Sequence, residues 1–289
     1  MVLMKRKTLA LTLILALFVS SVVGLQSVKS SPKTITVPDD YSSIQDAIDY
    51  ASAGDTVFVR RGNYTLPGIV EGLTINKSIS LIGENKQNTI LTQAPYRYGR
   101  DAIKISADKV TISGFTVKEG IMHNIGIDGS GCKITDNYII NSYNNGIDVN
   151  GKDNVISGNT ISDNPVFGIY VAASDSAISL NNIDNNGFAG IIIDSCKKVI
   201  VSQNNIASNG NPYSDVPIDE KGGLILRWTG PFYVQENNIT NNNGFGIQFG
   251  EGCNNAIICR NNIIANHYGF SLLNYIINPS DIASLGSGN

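Results

Sequence analysis

The chain is poor in the side chains that most often carry redox and soft-metal chemistry. Its 289 residues hold two histidines, three methionines, four cysteines and one tryptophan. His123 and His267 stand far apart, and past the N-terminal segment only Met122 remains, which argues against a clustered copper-type site. A basic excess is also missing: 21 Lys and Arg face 24 Asp and Glu, so no nucleic-acid partner is expected. Long apolar runs are absent after Val19. The one such run, Leu9–Val19, follows Lys5, Arg6 and Lys7 and leads into small residues through Gly24. Residues 1–24 therefore read as a secretory signal, implying a secreted or cell-surface protein. A retained anchor is the alternative, because Thr8–Gly24 is near the short limit for a membrane span. Removing residues 1–24 leaves 18 basic against 24 acidic residues, a more acidic balance.

Helical periodicity is missing as well, and a different period takes its place. The phrase [Ile/Val]-x-x-Asn-x-Ile occurs six times, with its Asn at 137, 159, 181, 204, 237 and 261. A second phrase runs in step: GIDV at Gly146, GIYV at Gly168, GIII at Gly190, GLIL at Gly223, GIQF at Gly246 and GFSL at Gly269. Each unit of about 22 residues holds short alternating Ile/Val runs separated by Asn, Gly and Asp, which are strands broken by turns. Units of this kind bury their apolar side only against neighbouring units. The expected fold is all-β, a parallel β-helix over residues 34–277, with a linker at 25–33 and a tail at 278–289. Asn at one fixed corner is expected to stack into a ladder.

The opening segment ITVPDDYSSIQDAIDYASAGDTVFVRRGNYT and the two repeated phrases together resemble NosD-type and pectate-lyase-like right-handed parallel β-helix proteins. The resemblance covers roughly residues 34–275 and implies a carbohydrate-binding or sugar-hydrolysing role. It does not fix which, since such solenoids host lyases, hydrolases, epimerases, esterases and binders. The copper association of NosD-type proteins is not implied, because the chain lacks the ligands.

Within Pro38–Ala53, Ser42 or Ser43 is the expected cap of an amphipathic helix that presents Ile44, Ala47, Ile48 and Ala51 to the first rung. Insertions 93–101 and 207–222 precede the same strand of their rungs and are expected to overhang one side. The four cysteines are expected to be free thiols. Cys196 and Cys253 share a corner but stand two rungs apart, about 10 Å, too far for a bridge. Sequons at Asn63, Asn76 and Asn238 could accept glycans, Asn238 least readily.

The candidate site follows from the outward residues of the G-Φ-x-Φ phrase. Text alignment gives the column Lys104, Asp128, Asp148, Tyr170, Ile192, Ile225, Gln248, Ser271. Asp128 stacked on Asp148 would repel, dividing acid and base roles. Such a pair could also share a hard cation such as Ca²⁺, though no cofactor is required. Solvated aspartates neutralised by Lys104 are the plainer alternative. His123 lies in the same rung as Asp128 and is a candidate base, or simply an exposed turn residue. Tyr170, Asp194, Arg227 and Trp228 are candidate substrate contacts, aromatic faces for sugar rings and Arg227 for an anionic group. Trp228 could instead pack under the 207–222 insertion. Three functions remain open: a polysaccharide-binding surface protein, a polysaccharide lyase or hydrolase, and a structural or adhesive module.

Overall fold

The computed structural model describes residues 31–66, 72–94, 100–213, 215–250 and 252–272, together with the strand Ile282–Leu285. The signal segment 1–24, most of the linker and most of insertion 93–101 lie outside the described residues. From Lys33 onward the chain is one compact unit. Three parallel sheets run its length: sheet I with eleven strands, and sheets II and III with nine each. A regular rung visits them in order, as in Lys133–Thr135 (I), Tyr138–Ile140 (II) and Asn145–Val149 (III). Each strand then pairs in parallel with its equivalent one rung on, Ile134 with Ile156 and Ile139 with Ile161. The expected parallel β-helix is therefore observed. Ile282–Leu285, within the span read as a tail, adds a strand to sheet I against Ala256–Cys259 with an irregular register.

Strands of three to six residues cannot hold a fold by pairing alone, and the interior does that work. Inward Ile and Val side chains, such as Ile112, Ile134, Ile156 and Ile178, are fully buried in a stack. Each contributes about 1.5–3 kcal/mol relative to exposure. The corners are built from a two-residue device. A residue in the left-handed conformation comes first, for example Asp136 (φ 54°), Leu180 (φ 58°) or Gln203 (φ 56°). An inward Asn follows, at 137, 159, 181, 204, 237 and 261. Asn159 Nδ2 donates to Asn181 Oδ1 at 3.1 Å and to the Ile134 carbonyl at 2.8 Å, while Asn181 Oδ1 also accepts the Asn159 backbone N–H. Every amide atom is used. Phe115 heads this column, fully buried, with its N–H donating to Asn137 Oδ1.

The next corner carries a second ladder that the repeated phrase did not reveal. Asn164, Asn186, Asn209, Asn242 and Asn266 repeat the arrangement, as in Asn186 Nδ2 to Asn209 Oδ1 at 2.9 Å. The signal was present: a second Asn stands five residues after the first in five successive rungs, with Ser142 in the earlier one. A third, exposed row on sheet II links Asn262, Asn238, Asn205 and Asn182 by side-chain bonds of 2.6–2.7 Å.

The N-terminal helix α1 is shorter than the expected segment, spanning Ile44–Tyr50 with Ser43 as its cap. Its Ile44, Ala47 and Ile48 are buried, and Lys77 Nζ donates to the carbonyls of Ile48, Asp49 and Ala51 at its end. No helix among the described residues is long and apolar enough to cross a membrane.

Candidate functional site

Sheet III carries the candidate residues, and its register corrects the text alignment. Asp148 pairs with Gly126, not Asp128, and Gly126 pairs with Lys104. The column therefore reads Lys104, Gly126, Asp148, Tyr170, Ile192, Ile225, Gln248, and Asp128 moves two residues along, beside Asn150. The slip arose because Gly126-Ile127-Asp128 copies Gly146-Ile147-Asp148. A two-residue shift preserves the inward–outward alternation, so burial could not expose it. The 22-residue step from Phe115 to Asn137 to Asn159 would have done so, since it places position 126 beneath Asp148.

A different carboxylate occupies the vacated place. A Cβ on Gly126 would come within 1.9 Å of Asp101 Oδ2, so the glycine is what admits Asp101 to this face. Asp101 closes the insertion that precedes the strand Ile103–Ile105 and is only 7% exposed. Its Oδ1 is buried without a hydrogen-bond partner, while Oδ2 stands 3.7 Å from Lys104 Nζ. Burial raises the Asp101 pKa above the usual carboxylate range; His123 and Lys104 oppose the rise and Asp148 adds to it. Sequence reading missed Asp101 because it belongs to an insertion and not to a repeat.

Lys104 Nζ lies 2.7 Å from Asp128 Oδ2, so Asp128 is half-exposed and neutralised. His123 is not an exposed turn residue near Asp128. It sits in the strand His123–Ile127, buried, with Nε2 3.6 Å from Asp148 Oδ2. Its Nδ1 accepts the Asn145 backbone N–H at 3.3 Å. The neutral ring must then carry its proton on Nε2, facing Asp148, which leaves no free nitrogen for a base. Asn150 Nδ2 also donates to Asp148 Oδ2, at 3.3 Å. The Asn150 amide and the His123 ring thus face the same oxygen of Asp148.

Further along the column the surface changes character. Tyr170 pairs with Asp148 and Ile192 in register, and its ring stacks near Phe167 with centroids 6.1 Å apart. Ile192 and Ile225 occupy outward positions yet are buried, forming with Ala189 a second apolar cluster on which Phe167 and Tyr170 pack. Burial raises the Tyr170 phenol pKa, with Asp194 and Asp148 adding to it. Asp194 pairs in register with Arg227 and accepts a bond from Ser195 Oγ at 2.7 Å. Arg227 reaches back to the Asp219 carbonyl at 3.2 Å and lies 3.6 Å from Glu220, which ties the 207–222 insertion to this strand. Trp228 is 57% exposed, so it does not pack under that insertion. It adopts a left-handed backbone (φ 49°), and its ring lies over Gly252, where a Cβ would approach Cε3 to 2.5 Å.

Among the described residues, no group of three or more His, Cys, Asp or Glu side chains is placed to hold a metal. An open cavity of about 430 Å³ lies instead at the corner leading into sheet III. It is lined by Asp163, Pro165, Asn185, Asn211 and Pro212 among others, and by none of the charged cluster. The four cysteines are free. Asn63 and Asn76 are exposed, whereas the Asn238 amide is engaged in the outer Asn row.

Three comparisons bear on this architecture. A cell surface glycoprotein of Methanothermus fervidus is 32% identical over 149 residues, half of this chain but 22% of that protein. The chain thus spans about a fifth of that curated relative. Pectate lyase Pel9A superposes with a TM-score of 0.64 at 12% identity, covering 89% of this chain and 82% of that one. An alginate lyase of a Paenibacillus species gives 0.56 at 14% identity, covering 83% and 99%. A tailspike protein of bacteriophage CBA120 gives 0.59 at 15%, covering 83% and 40%. At such identities the likeness is one of fold. The model of the right-handed β-helix region matches residues 101–216 and 145–275, more than half of the sequence, and the chain belongs to that family.

Proposed function

We propose that this is a secreted or cell-surface β-helix protein that binds polysaccharide along the outward face of sheet III. One observation carries the reading: a single face presents hydrogen-bonding charge, aromatic faces and an inserted wall in sequence along the coil. Lys104, Asp128 and Asp148 begin it, Tyr170 and Phe167 follow, and Arg227 and Trp228 close it beside the 207–222 insertion. A chain of sugars needs this combination, with polar groups for hydroxyls and flat apolar faces for ring C–H surfaces. The cell surface glycoprotein and the polysaccharide-acting fold relatives support the glycan partner and the external location. The signal segment at 1–24 is part of the same proposal.

The test is affinity electrophoresis and a glycan array with the wild type, Tyr170→Ala and Trp228→Ala. Retarded migration in at least one polysaccharide, lost in either variant with unchanged melting, is the expected result. Binding that survives both substitutions would move the surface elsewhere. No binding by the wild type would favour a structural module.

A further inference from the structure

The strongest unassigned feature is the placement of two carboxyl groups in neighbouring rungs with opposite surroundings. Asp101 Oδ2 stands where the Gly126 side chain would be, and Gly126 is the register partner of Asp148. The two carboxyls are therefore about one rung apart, on the order of 5 Å. The Asp101 side chain is 9% exposed, with one oxygen sealed and unpartnered and the other presented beside Lys104. The Asp148 side chain is 18% exposed, and its Oδ2 is held by Asn150 and faced by His123, which leaves Oδ1 without these two neighbours.

Resting on the glycan reading above, we propose that Asp101 and Asp148 are catalytic residues that hydrolyse a glycosidic bond in a neutral polysaccharide with retention of configuration. Asp148 Oδ1 attacks the anomeric carbon, forming a glycosyl ester as the glycosidic C–O bond breaks. The proton of Asp101 Oδ2 passes to the leaving oxygen. Water then enters the same position, gives its proton to Asp101, and bonds to the anomeric carbon as Asp148 departs with its electron pair. A carboxyl separation near 5 Å suits this double displacement; a wider gap would leave room for direct attack by water. His123 and Asn150 are positioning residues that hold the nucleophile.

Charge selects the substrate class. Lys104 is shared by Asp128 and Asp101, and His123 faces Asp148 at 3.6 Å. The two side chains here that could pair an anionic sugar therefore already face carboxylates of the cluster. That arrangement disfavours a polyuronate and tolerates uncharged sugars. Burial supports the acid role, since it keeps the Asp101 proton in place at pH values where ordinary carboxyls have lost it. His123, Lys104 and Asp148 are the titrating groups that face Asp101, and hydrolysis should fall as pH rises through the Asp101 pKa.

The experiment uses the full chain, a set of neutral and uronate polysaccharides, and 2,4-dinitrophenyl 2-deoxy-2-fluoroglycosides of glucose, galactose and mannose. The expected results are new reducing ends from a neutral polymer and a glycosyl adduct on the peptide bearing Asp148. Asp101→Asn should still form the adduct, because dinitrophenolate needs no acid, yet lose about 100-fold or more in polymer cleavage together with the alkaline limb of the pH profile. Asp148→Asn should form no adduct. Melting curves confirm that both variants fold. Cleavage of uronate polymers alone, inverted products, or glycan binding without any turnover or adduct would each overturn the proposal. The last of these would leave the binding function standing.

Discussion

The Asn-lined corners and the outward face of sheet III are built from the same rungs and obey different rules. At the corners each amide donor and acceptor meets a partner, and successive rungs from Asn137 to Asn261 repeat the arrangement. On the face, neighbouring positions hold Lys104, Gly126, Asp148, Tyr170 and Ile192, with no repetition at all. A buried carboxylate oxygen there has no partner. The corners hold the coil together, and so the face is free to carry groups that do not stabilise it. This is the division expected when function is placed on a rigid scaffold.

The sharpest way to break that contrast is at a corner. Asn181→Ala strands Asn159 on one side and Asn204 on the other, and frees the Ile156 carbonyl that Asn181 holds. A loss of about 1–3 kcal/mol is expected, read as a lower melting temperature. An unchanged melt would show that the ladder is dispensable.

Two glycines compare the regions directly. A Cβ at Gly146 would meet the Gly168 carbonyl, fixed backbone of the next strand, at 2.7 Å and Asn164 Nδ2, held in the second ladder, at 2.8 Å. Gly146→Ala should cost about 1–3 kcal/mol as an overpacking change. Gly126→Ala meets only the end of the Asp101 side chain, which can swing away, so stability should change by about 0.5 kcal/mol or less. Turnover, on the proposal above, should nonetheless be lost. Equal melting losses in the two variants would erase the distinction.

A smaller effect separates two carboxylates by pH. Asp55 accepts the backbone N–H groups of Lys33 and Ser52, which hold its pKa below the ordinary range. Its stabilisation is present above a pH of about 3.9 and is lost as pH falls toward the depressed value. Asp101 has the opposite sign. Its raised pKa means that folding stability declines as pH climbs from about 3.9 toward that higher value, and stays lower beyond it. Asp101→Asn should therefore match wild type in acid and melt higher at neutral pH, whereas Asp55→Asn should lose stability only above acid pH. Denaturation curves at pH 3 to 8 check both.

The smallest expected effect concerns the thiols. Burial pushes Cys196 up to about 11 and raises Cys132 and Cys253 as well. Iodoacetamide at pH 8 should label the native protein slowly at these three. All four cysteines should react once the chain is unfolded without reductant. A Cys196–Cys253 crosslink would contradict the register, in which Thr229 occupies the rung between them and donates to the Cys196 carbonyl at 2.7 Å.

The sequence by itself determined the coil, the first ladder, the helix at its start and the free cysteines. Every rung offers the same environment, and an environment met repeatedly selects the same residues at a constant step. It also pointed to sheet III as the face of interest, through Lys104, Asp148, Tyr170, Arg227 and Trp228. Only the tertiary structure decided which groups meet there. Asp101 arrives from outside the repeat, Gly126 admits it by having no side chain, and His123 turns to Asp148 because Asn145 occupies its other nitrogen. A two-residue slip leaves the alternation of inward and outward residues intact, so periodicity cannot distinguish Asp128 from Gly126 beside Asp148. The backbone pairing between rungs can, because hydrogen bonds fix register where side-chain polarity does not.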